Sequence, residues 1–352
     1  MMSLGGASRR SRCTRVWTAV LVSLSLAACA APAAPAASGA QTAPEVGATE
    51  YPLAITDCSG WTTTFQDAPE RVVTDDSFPA EMLMELGLGD RLVGTGYAPP
   101  PAQVPQEYAD QFAELPALSD QTPSREVLIA ARPDLVLSIS GFGWADPGTA
   151  TREELEALGV NTYQVSGDCA RARYTDNLEP TFAFALQMGQ IFDAPDAAER
   201  FVAEGQERLR AVADRIRGLP RLRVVYVDSY STPESPTFAG GQGPTNAIIE
   251  LAGGTNVFAD VASPFAQVSW EELVARDPQV FLVGIGGDSS TSPADEEETL
   301  RRFLLSFPPI QEVSGIKDQR FVVTSYAAAG NPGPRNVTVV EDLAQGMFPQ
   351  AS

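Results

Sequence analysis

The chain contains no histidine, and this absence removes several kinds of catalytic and metal-binding site. Histidine is the usual base of hydrolytic triads, the usual proton shuttle near neutral pH and the commonest metal ligand. No other nucleophile–base arrangement stands out, and the glycine-rich segment 240–243 lacks the Lys-Ser/Thr pair of a phosphate-binding loop. The sequence therefore predicts a protein that is not an enzyme, with no cofactor and no metal. Segment 240–243 is interpreted as a close-approach turn lining a cleft.

Basic residues are scarce relative to acidic ones. Lysine and arginine number 24 against 45 aspartate and glutamate residues, which gives a formal net charge of -21 at pH 7. Such a charge repels nucleic-acid phosphates and anionic lipid headgroups. We therefore expect no nucleic-acid partner and no electrostatic attachment to a membrane.

The N-terminal apolar run is too short for a stable membrane-spanning helix. It extends from Val16 to Ala28, follows four arginines and ends on Leu26-Ala27-Ala28-Cys29, which matches the bacterial lipobox. The sequence predicts a lipoprotein signal peptide over 1–28, with Cys29 acylated after cleavage; an ordinary secretory signal with an incidental cysteine is the alternative. Loss of the four arginines takes the net charge from -21 to -25. We expect the mature protein on the extracytoplasmic face of the cell membrane, held by lipid alone.

Few cysteines remain after this processing. Cys13 leaves with the signal peptide and Cys29 is acylated, so Cys58 and Cys169 form an even pair in an oxidising compartment. We expect a disulfide between them, and two buried free thiols are the alternative. Residues 29–50 are rich in Ala, Pro, Ser, Gly and Thr, a composition that cannot bury enough apolar surface to fold, and they are predicted to be a disordered tether.

Two segments of the mature chain repeat one helix-turn-strand pattern. In the first, a helix from Ser124 ends at Pro133 before the apolar run 135–139; in the second, a helix from Ser269 ends at Pro278 before 280–285. Serine caps each helix, a glutamate two residues later favours the helix dipole, and proline stops the helix. The sequence therefore contains two related halves.

Further buried strands alternate with helical patterns along both halves. Strands are predicted over 71–74, 92–95, 161–165, 222–227 and 320–323, and helices over 80–86 and 152–158. Between the halves, residues 194–218 show helical spacing bounded by Pro195 and Gly218, and they are long enough to bridge two lobes; an ordinary surface helix of one lobe is the alternative. The predicted fold is α/β, with two Rossmann-like lobes of mainly parallel sheets joined by one long backbone helix.

Several motifs, in order along the chain, are similar to those of the periplasmic-binding family that serves ferric-siderophore and cobalamin ABC importers. The matching segments are Ala68-Pro69-Glu70-Arg71-Val72-Val73, the run from Glu81 to Gly94, Arg132-Pro133-Asp134-Leu135-Val136, and Leu251-Ala252-Gly253-Gly254-Thr255-Asn256-Val257. The resemblance covers essentially the whole mature chain. It implies an N-terminal lobe over 51–193, a connecting helix over 194–218, a C-terminal lobe over 219–352, and a ligand in the cleft between the lobes.

The resemblance also implies the partners. Family members dock on a permease dimer through one glutamate in each lobe, and Glu126 and Glu271 stand at matching places, seven residues before Pro133 and Pro278. The alternative is that both glutamates are ordinary acidic residues in the first turn of a helix, with no docking role. We expect a monomer that binds a small molecule and delivers it to an ABC permease.

Ligand contacts are expected on loops that follow strands, where aromatic side chains enclose a ligand and arginines pair with anions. Arg335 is the strongest candidate, because the family often places a basic residue in that loop. Each of the others has a structural alternative, such as loop packing for Trp144. The predicted ligand-binding residues are Tyr97, Phe142, Trp144, Arg171, Arg173, Tyr230, Tyr326 and Arg335.

The arginines favour an anionic ligand, and a ferric siderophore is the leading expectation. Cobalamin, haem and an anionic deazaflavin-cofactor precursor are alternatives within the same transport class. The absence of histidine disfavours the zinc- and manganese-binding branch of related proteins. A ligand-sensing surface receptor that imports nothing is the alternative from a different class, and an enzyme on the same scaffold is a third possibility.

Overall fold

The computed structural model describes residues 48–99, 104–145, 148–165, 174, 176–228, 231–286 and 292–351. The predicted signal peptide and Cys29 lie outside these ranges, as does almost all of the predicted tether. Within the described ranges, no helix combines the length and the apolar character needed to cross a membrane.

The N-terminal lobe contains a parallel four-stranded sheet and an antiparallel hairpin. Its strands are β1 (Leu53–Thr56), β2 (Thr62–Phe65), β3 (Val72–Thr74), β4 (Leu92–Thr95), β5 (Leu135–Ser138) and β6 (Asn161–Gln164). Its helices are α1 (Ser77–Glu85), α2 (Ala109–Glu114), α3 (Arg125–Ala131), α4 (Phe142–Ala145), α5 (Arg152–Ala157) and α6 (Glu179–Ile191). The sheet order is β4-β3-β5-β6, and β1 pairs with β2. Strand β5 is buried along its whole length, as expected for a parallel strand covered on both faces.

The C-terminal lobe has a larger sheet in the order β10-β8-β7-β11-β12, with β9 paired to β7. Its strands are β7 (Leu222–Asp228), β8 (Phe238–Ala239), β9 (Gly254–Asn256), β10 (Phe265–Ala266), β11 (Val280–Ile285) and β12 (Phe321–Ser325). Its helices are α8 (Pro244–Leu251), α9 (Trp270–Arg276), α10 (Pro293–Ser306), α11 (Ser314–Lys317), α12 (Tyr326–Gly330) and α13 (Asn336–Met347). Strands β9, β7, β11 and β12 are parallel, whereas β8 and β10 pair antiparallel.

The two repeated helix-turn-strand units are confirmed as α3–β5 and α9–β11. Ser124 and Ser269 cap the helices by accepting hydrogen bonds from the amides of Val127 and Glu272, at 3.4 and 3.3 Å. Each helix ends two residues before the proline, and its C-cap residue, Arg132 or Asp277, has a left-handed φ of 49° or 43°. The predicted strands over 71–74, 92–95, 161–165, 222–227 and 320–323 are confirmed within one or two residues.

The long helix between the halves is confirmed as a connection between the lobes. Helix α7 (Pro195–Arg215) has 21 residues, which corresponds to about 31 Å. Near its start, Ala198 is buried in the N-terminal core, and near its end Val212 is buried in the C-terminal core. Phe201 packs against both cores.

The segment before α7 also contacts the C-terminal lobe. Phe182 is buried in the C-terminal core, although it lies on α6. Thr181 donates a hydrogen bond to Asn336 Oδ1 at 2.7 Å and is hydrogen-bonded to the Tyr174 hydroxyl at 2.8 Å. The interface between the lobes therefore contains buried polar contacts as well as helix α7. The predicted lobe limits, at residues 193 and 219, stay predictions.

Candidate ligand-binding site

The carboxyl ends of β3 and β5 lie side by side and carry a buried polar cluster. Asp75 directly follows β3, and its Oδ1 accepts a hydrogen bond from the Ile139 amide at 3.0 Å. The Ser138 hydroxyl is hydrogen-bonded to Asp75 Oδ2 and donates to the Ser140 carbonyl at 2.8 Å. Gly143 is required here, because a Cβ atom would overlap Ser138 Oγ and Asp75 Oδ2. Ligands of open α/β sheets bind at this edge.

Three carboxyl groups follow β3 in close succession, and we call Asp75, Asp76 and Glu81 the acidic cluster. Burial raises the pKa of Asp75 to about 7, although hydrogen bonds from Ser138 and Ile139 oppose it. Burial also raises the pKa of Asp76 to about 6. At Glu81, burial raises the pKa and the neighbouring Arg335 partly offsets the effect. The carboxyl groups of Asp75 and Asp76 therefore stay protonated to a higher pH than those of ordinary surface aspartates.

Arg335, the strongest predicted ligand contact, is paired with a carboxylate of the opposite lobe. Its Nε and Nη2 atoms donate to the two carboxylate oxygens of Glu81, each at 2.9 Å. The Glu81 side chain is 3% exposed and the Arg335 side chain 16% exposed. The expected cation is thus present between the lobes, but its charge is already balanced by Glu81.

The other predicted contacts with described side chains lie in different surroundings. Tyr97 follows β4 with a left-handed φ of 39° and is 47% exposed. Tyr326, at the start of α12, borders a narrow cavity of about 10 Å³ together with Phe265 and Gln242. That volume is roughly the space of one water molecule.

The glycine-rich turn over 240–243 is confirmed as a close approach of backbones. A Cβ atom on Gly240 would overlap the Ser263 carbonyl oxygen, and one on Gly241 would overlap the Ala259 carbonyl oxygen. The Gly241 amide donates to the Val261 carbonyl at 2.8 Å. Gln242 and Gly243 line the same narrow cavity as Tyr326, so the turn lies beside the candidate cleft.

Trp144 packs within the N-terminal lobe. It is 8% exposed and contributes to a core cluster with Leu128 and Leu155. The guanidinium carbon of Arg152 lies 5.3 Å from the centroid of the Trp144 ring and 4.8 Å from the centroid of the Trp61 ring. The structural alternative stated for Trp144, loop packing, matches this position.

Arg152 anchors the N-terminal hairpin through a buried ion pair. Its Nη2 atom lies 2.6 Å from Asp57 Oδ2, and the two side chains are 7% and 1% exposed. The Gln164 amide also donates to Asp57 Oδ2, at 3.0 Å. Cys58 directly follows Asp57. Cys169 lies outside the described residues, so the pairing of Cys58 with Cys169 stays a prediction.

Four predicted ligand contacts cannot be placed. Arg171, Arg173 and Tyr230 lie outside the described residues, as does the side chain of Phe142. Their assignment to the cleft stays a prediction.

The two predicted docking residues occupy equivalent positions. Glu126 is the second residue of α3 and Glu271 the second residue of α9, and both are exposed. The pKa of Glu271 is lowered, first by its own backbone amide and then by the Ser269 hydroxyl. Both carboxylates are thus displayed to solvent at the start of matching helices, and neither belongs to the acidic cluster.

The acidic cluster was missed by the sequence analysis. Asp75 and Asp76 directly follow the strand predicted over 71–74, so the rule that selected Tyr97 selects them too. Glu81 begins one of the matching motifs, but no local pattern gives it a role at the site, because its partner Arg335 is 254 positions away in the sequence. Proximity of that kind is set by the packing of the two lobes.

The fold defines a protein of two α/β lobes joined by one long helix. The chain belongs to the periplasmic binding protein family, whose sequence profile matches residues 72–325. It is similar to a cobalamin-binding protein of Halobacterium salinarum, with 29% identity over 287 residues, 78% of this chain and 70% of that protein. The resemblance predicted from the sequence motifs is thereby confirmed.

Two solved structures extend the comparison. A periplasmic binding protein of Veillonella parvula superposes with a TM-score of 0.73 and 24% identity, covering 84% of this chain and 97% of that one. A protein of an ABC-type Fe³⁺-hydroxamate transport system from Saccharomonospora viridis superposes with a TM-score of 0.68 and 25% identity, covering 85% and 99%. The fold is thus shared along almost the whole length of both structures.

Proposed function

We propose that this protein captures a corrinoid outside the cytoplasm and delivers it, as a monomer, to an ABC permease. The observation that carries the choice of ligand is the pairing of Arg335 with Glu81 beside Asp75 and Asp76. A cleft whose cation is already neutralised suits an uncharged ligand better than an anion. Cyanocobalamin carries no net charge, and the similarity to a cobalamin-binding protein supports the same choice.

A ferric siderophore, the leading expectation from the sequence, is the second candidate. The observation in its favour is the similarity to the Fe³⁺-hydroxamate transport protein, which spans both lobes. Against an anionic siderophore stands the ion pair of Arg335, since the guanidinium must leave Glu81 before it can bind another anion.

The ligand can be identified directly. We expect the protein purified from its native host to carry a corrinoid absorbance spectrum and a matching mass, and the ligand-free protein to bind cyanocobalamin with quenching of tryptophan fluorescence. The matched comparison is ferrioxamine B, a ferric hydroxamate. An iron-siderophore charge-transfer band, a haem spectrum or a deazaflavin spectrum in the native protein contradicts the corrinoid assignment.

We further propose that Cys29 carries the lipid anchor and that Cys58 pairs with Cys169. Intact mass spectrometry of the membrane-extracted protein is expected to show a diacylglycerol addition, and a mass increase of two hydrogens on reduction. Cys29→Ala should abolish the addition and release the protein from membranes, because lipid and not the fold holds it there. Membrane sedimentation of Cys29→Ala, or an unchanged mass on reduction, contradicts the respective assignment.

Docking on the permease is assigned to Glu126 and Glu271. Support comes from their exposure and from their identical places in two repeated units of opposite lobes. Carboxylates so displayed can pair with arginines of a partner without disturbing the cleft.

A further inference from the structure

The Glu81–Arg335 ion pair joins the two lobes. Glu81 lies on α1, which directly follows the carboxyl end of β3. Arg335 is the residue directly before α13, and residues 331–334, which follow β12 and α12, are buried. Because ligands of such folds bind beyond the carboxyl ends of the strands, the pair lies in the region where a ligand is expected.

The ion pair with Glu81 engages the guanidinium donors with which Arg335 could otherwise bind an anionic ligand. Two guanidinium nitrogens meet two carboxylate oxygens at 2.9 Å, the bidentate arrangement that gives arginine its strongest contacts. Both side chains are largely removed from water, so an anion that competes for Arg335 leaves Glu81 as an unpaired buried charge.

The surroundings of the pair are acidic. Burial is the main cause of the raised pKa of Asp76 and of Glu81, and the charges of Glu81 and Glu107, respectively, add to these shifts. Asp75 adds a further buried carboxyl at the end of β3. An anionic group entering this region therefore meets buried carboxyl groups and a cation that is already engaged by Glu81.

We infer that Glu81 is a specificity-determining residue: by holding Arg335 across the lobes, it withholds this cation from the ligand and selects against anionic ligands. The inference rests on the proposed capture of a ligand in the cleft. It differs from a merely structural role, because it concerns the discrimination between ligands of different charge and not the affinity for all ligands.

Two corrinoids that differ in one charge test the inference. Cyanocobalamin and its monocarboxylate, in which one peripheral amide is hydrolysed, are titrated into wild-type protein, Glu81→Gln and Arg335→Gln. The measured quantity is the Kd for the monocarboxylate divided by the Kd for cyanocobalamin. We expect this ratio to fall about tenfold in Glu81→Gln, where Arg335 is released to the ligand, and to rise in Arg335→Gln, where Glu81 stays unpaired.

Glu341→Gln is the matched control, because Glu341 lies on the helix that Arg335 caps and pairs with Arg208 of α7. Its ratio should equal that of the wild type. If both variants change the two Kd values by the same factor, the pair only holds the lobes together and the inference is wrong. If neither corrinoid binds the wild type, the corrinoid proposal fails, and the ratio is measured instead with ferrioxamine B and its succinylated, carboxylate-bearing derivative. An unmoved ratio there overturns the inference as well.

Discussion

At the scale of single residues, Asp75 has surroundings that suit a protonated carboxyl group. The Ser138 hydroxyl has one hydrogen, yet its oxygen contacts both Asp75 Oδ2 and the Ser140 carbonyl oxygen. A protonated Asp75 can donate to Ser138, which leaves the Ser138 hydrogen for Ser140. This arrangement agrees with the pKa of Asp75, which burial raises to about 7.

A pH dependence of stability follows from this pKa. The pKa of Asp75 is about 7 in the folded protein, against 3.8 for an ordinary aspartate such as that of the unfolded chain. The stability that this residue contributes to the folded state is therefore complete below pH 3.8 and is lost as the pH rises through 7. We expect the free energy of unfolding to fall by up to about 4 kcal/mol between pH 4 and pH 8 from this residue. Asp75→Asn, which stays uncharged, should remove that part of the slope in urea unfolding. The exposed Asp90→Asn is the control, and an equal slope in Asp75→Asn and wild type contradicts the assignment.

At the scale of secondary-structure elements, the units α3–β5 and α9–β11 were predictable because their signals are local. The capping serine, the left-handed end and the proline of each helix act within about ten residues, so their order in the sequence specifies the element. The burial of the following strand is likewise visible as an apolar run. By contrast, the Glu81–Arg335 contact and the position of Trp144 depend on how elements pack, which no local pattern contains.

The same two units carry a prediction about transport. Glu126→Ala combined with Glu271→Ala should leave the Kd for the ligand within about twofold and reduce cellular uptake at least about tenfold, because both carboxylates are exposed and neither belongs to the acidic cluster. Glu153→Ala is the matched control, since Glu153 is also an exposed second residue of a helix, α5. Normal uptake by the double variant, or a loss of ligand binding, shows that the docking assignment is wrong.

At the scale of the whole molecule, the architecture was predictable and the character of the cleft was not. Alternating strand and helix patterns with one long helix between two repeated halves are sufficient to specify two α/β lobes. The predicted arginine of the cleft is present, but the packing of the lobes places Glu81 against it. The count of arginines in the sequence is the basis of the expected anionic ligand, whereas the ion pair between the lobes is the basis of the proposed neutral one.

The position of Phe201 has a consequence for unfolding. Its ring packs against the hydrophobic cores of both lobes and meets Phe182 edge to face, with the ring centroids 6.2 Å apart. Loss of either core exposes the same ring, so the lobes should melt cooperatively, in one calorimetric transition whose measured and van 't Hoff enthalpies agree. Phe201→Ala should lower the free energy of unfolding by about 2 to 4 kcal/mol, and Leu219→Ala, an exposed leucine, serves as control. Two separate transitions in the wild type contradict this coupling. With a single transition, a destabilising substitution in either lobe lowers the folded fraction of both lobes together.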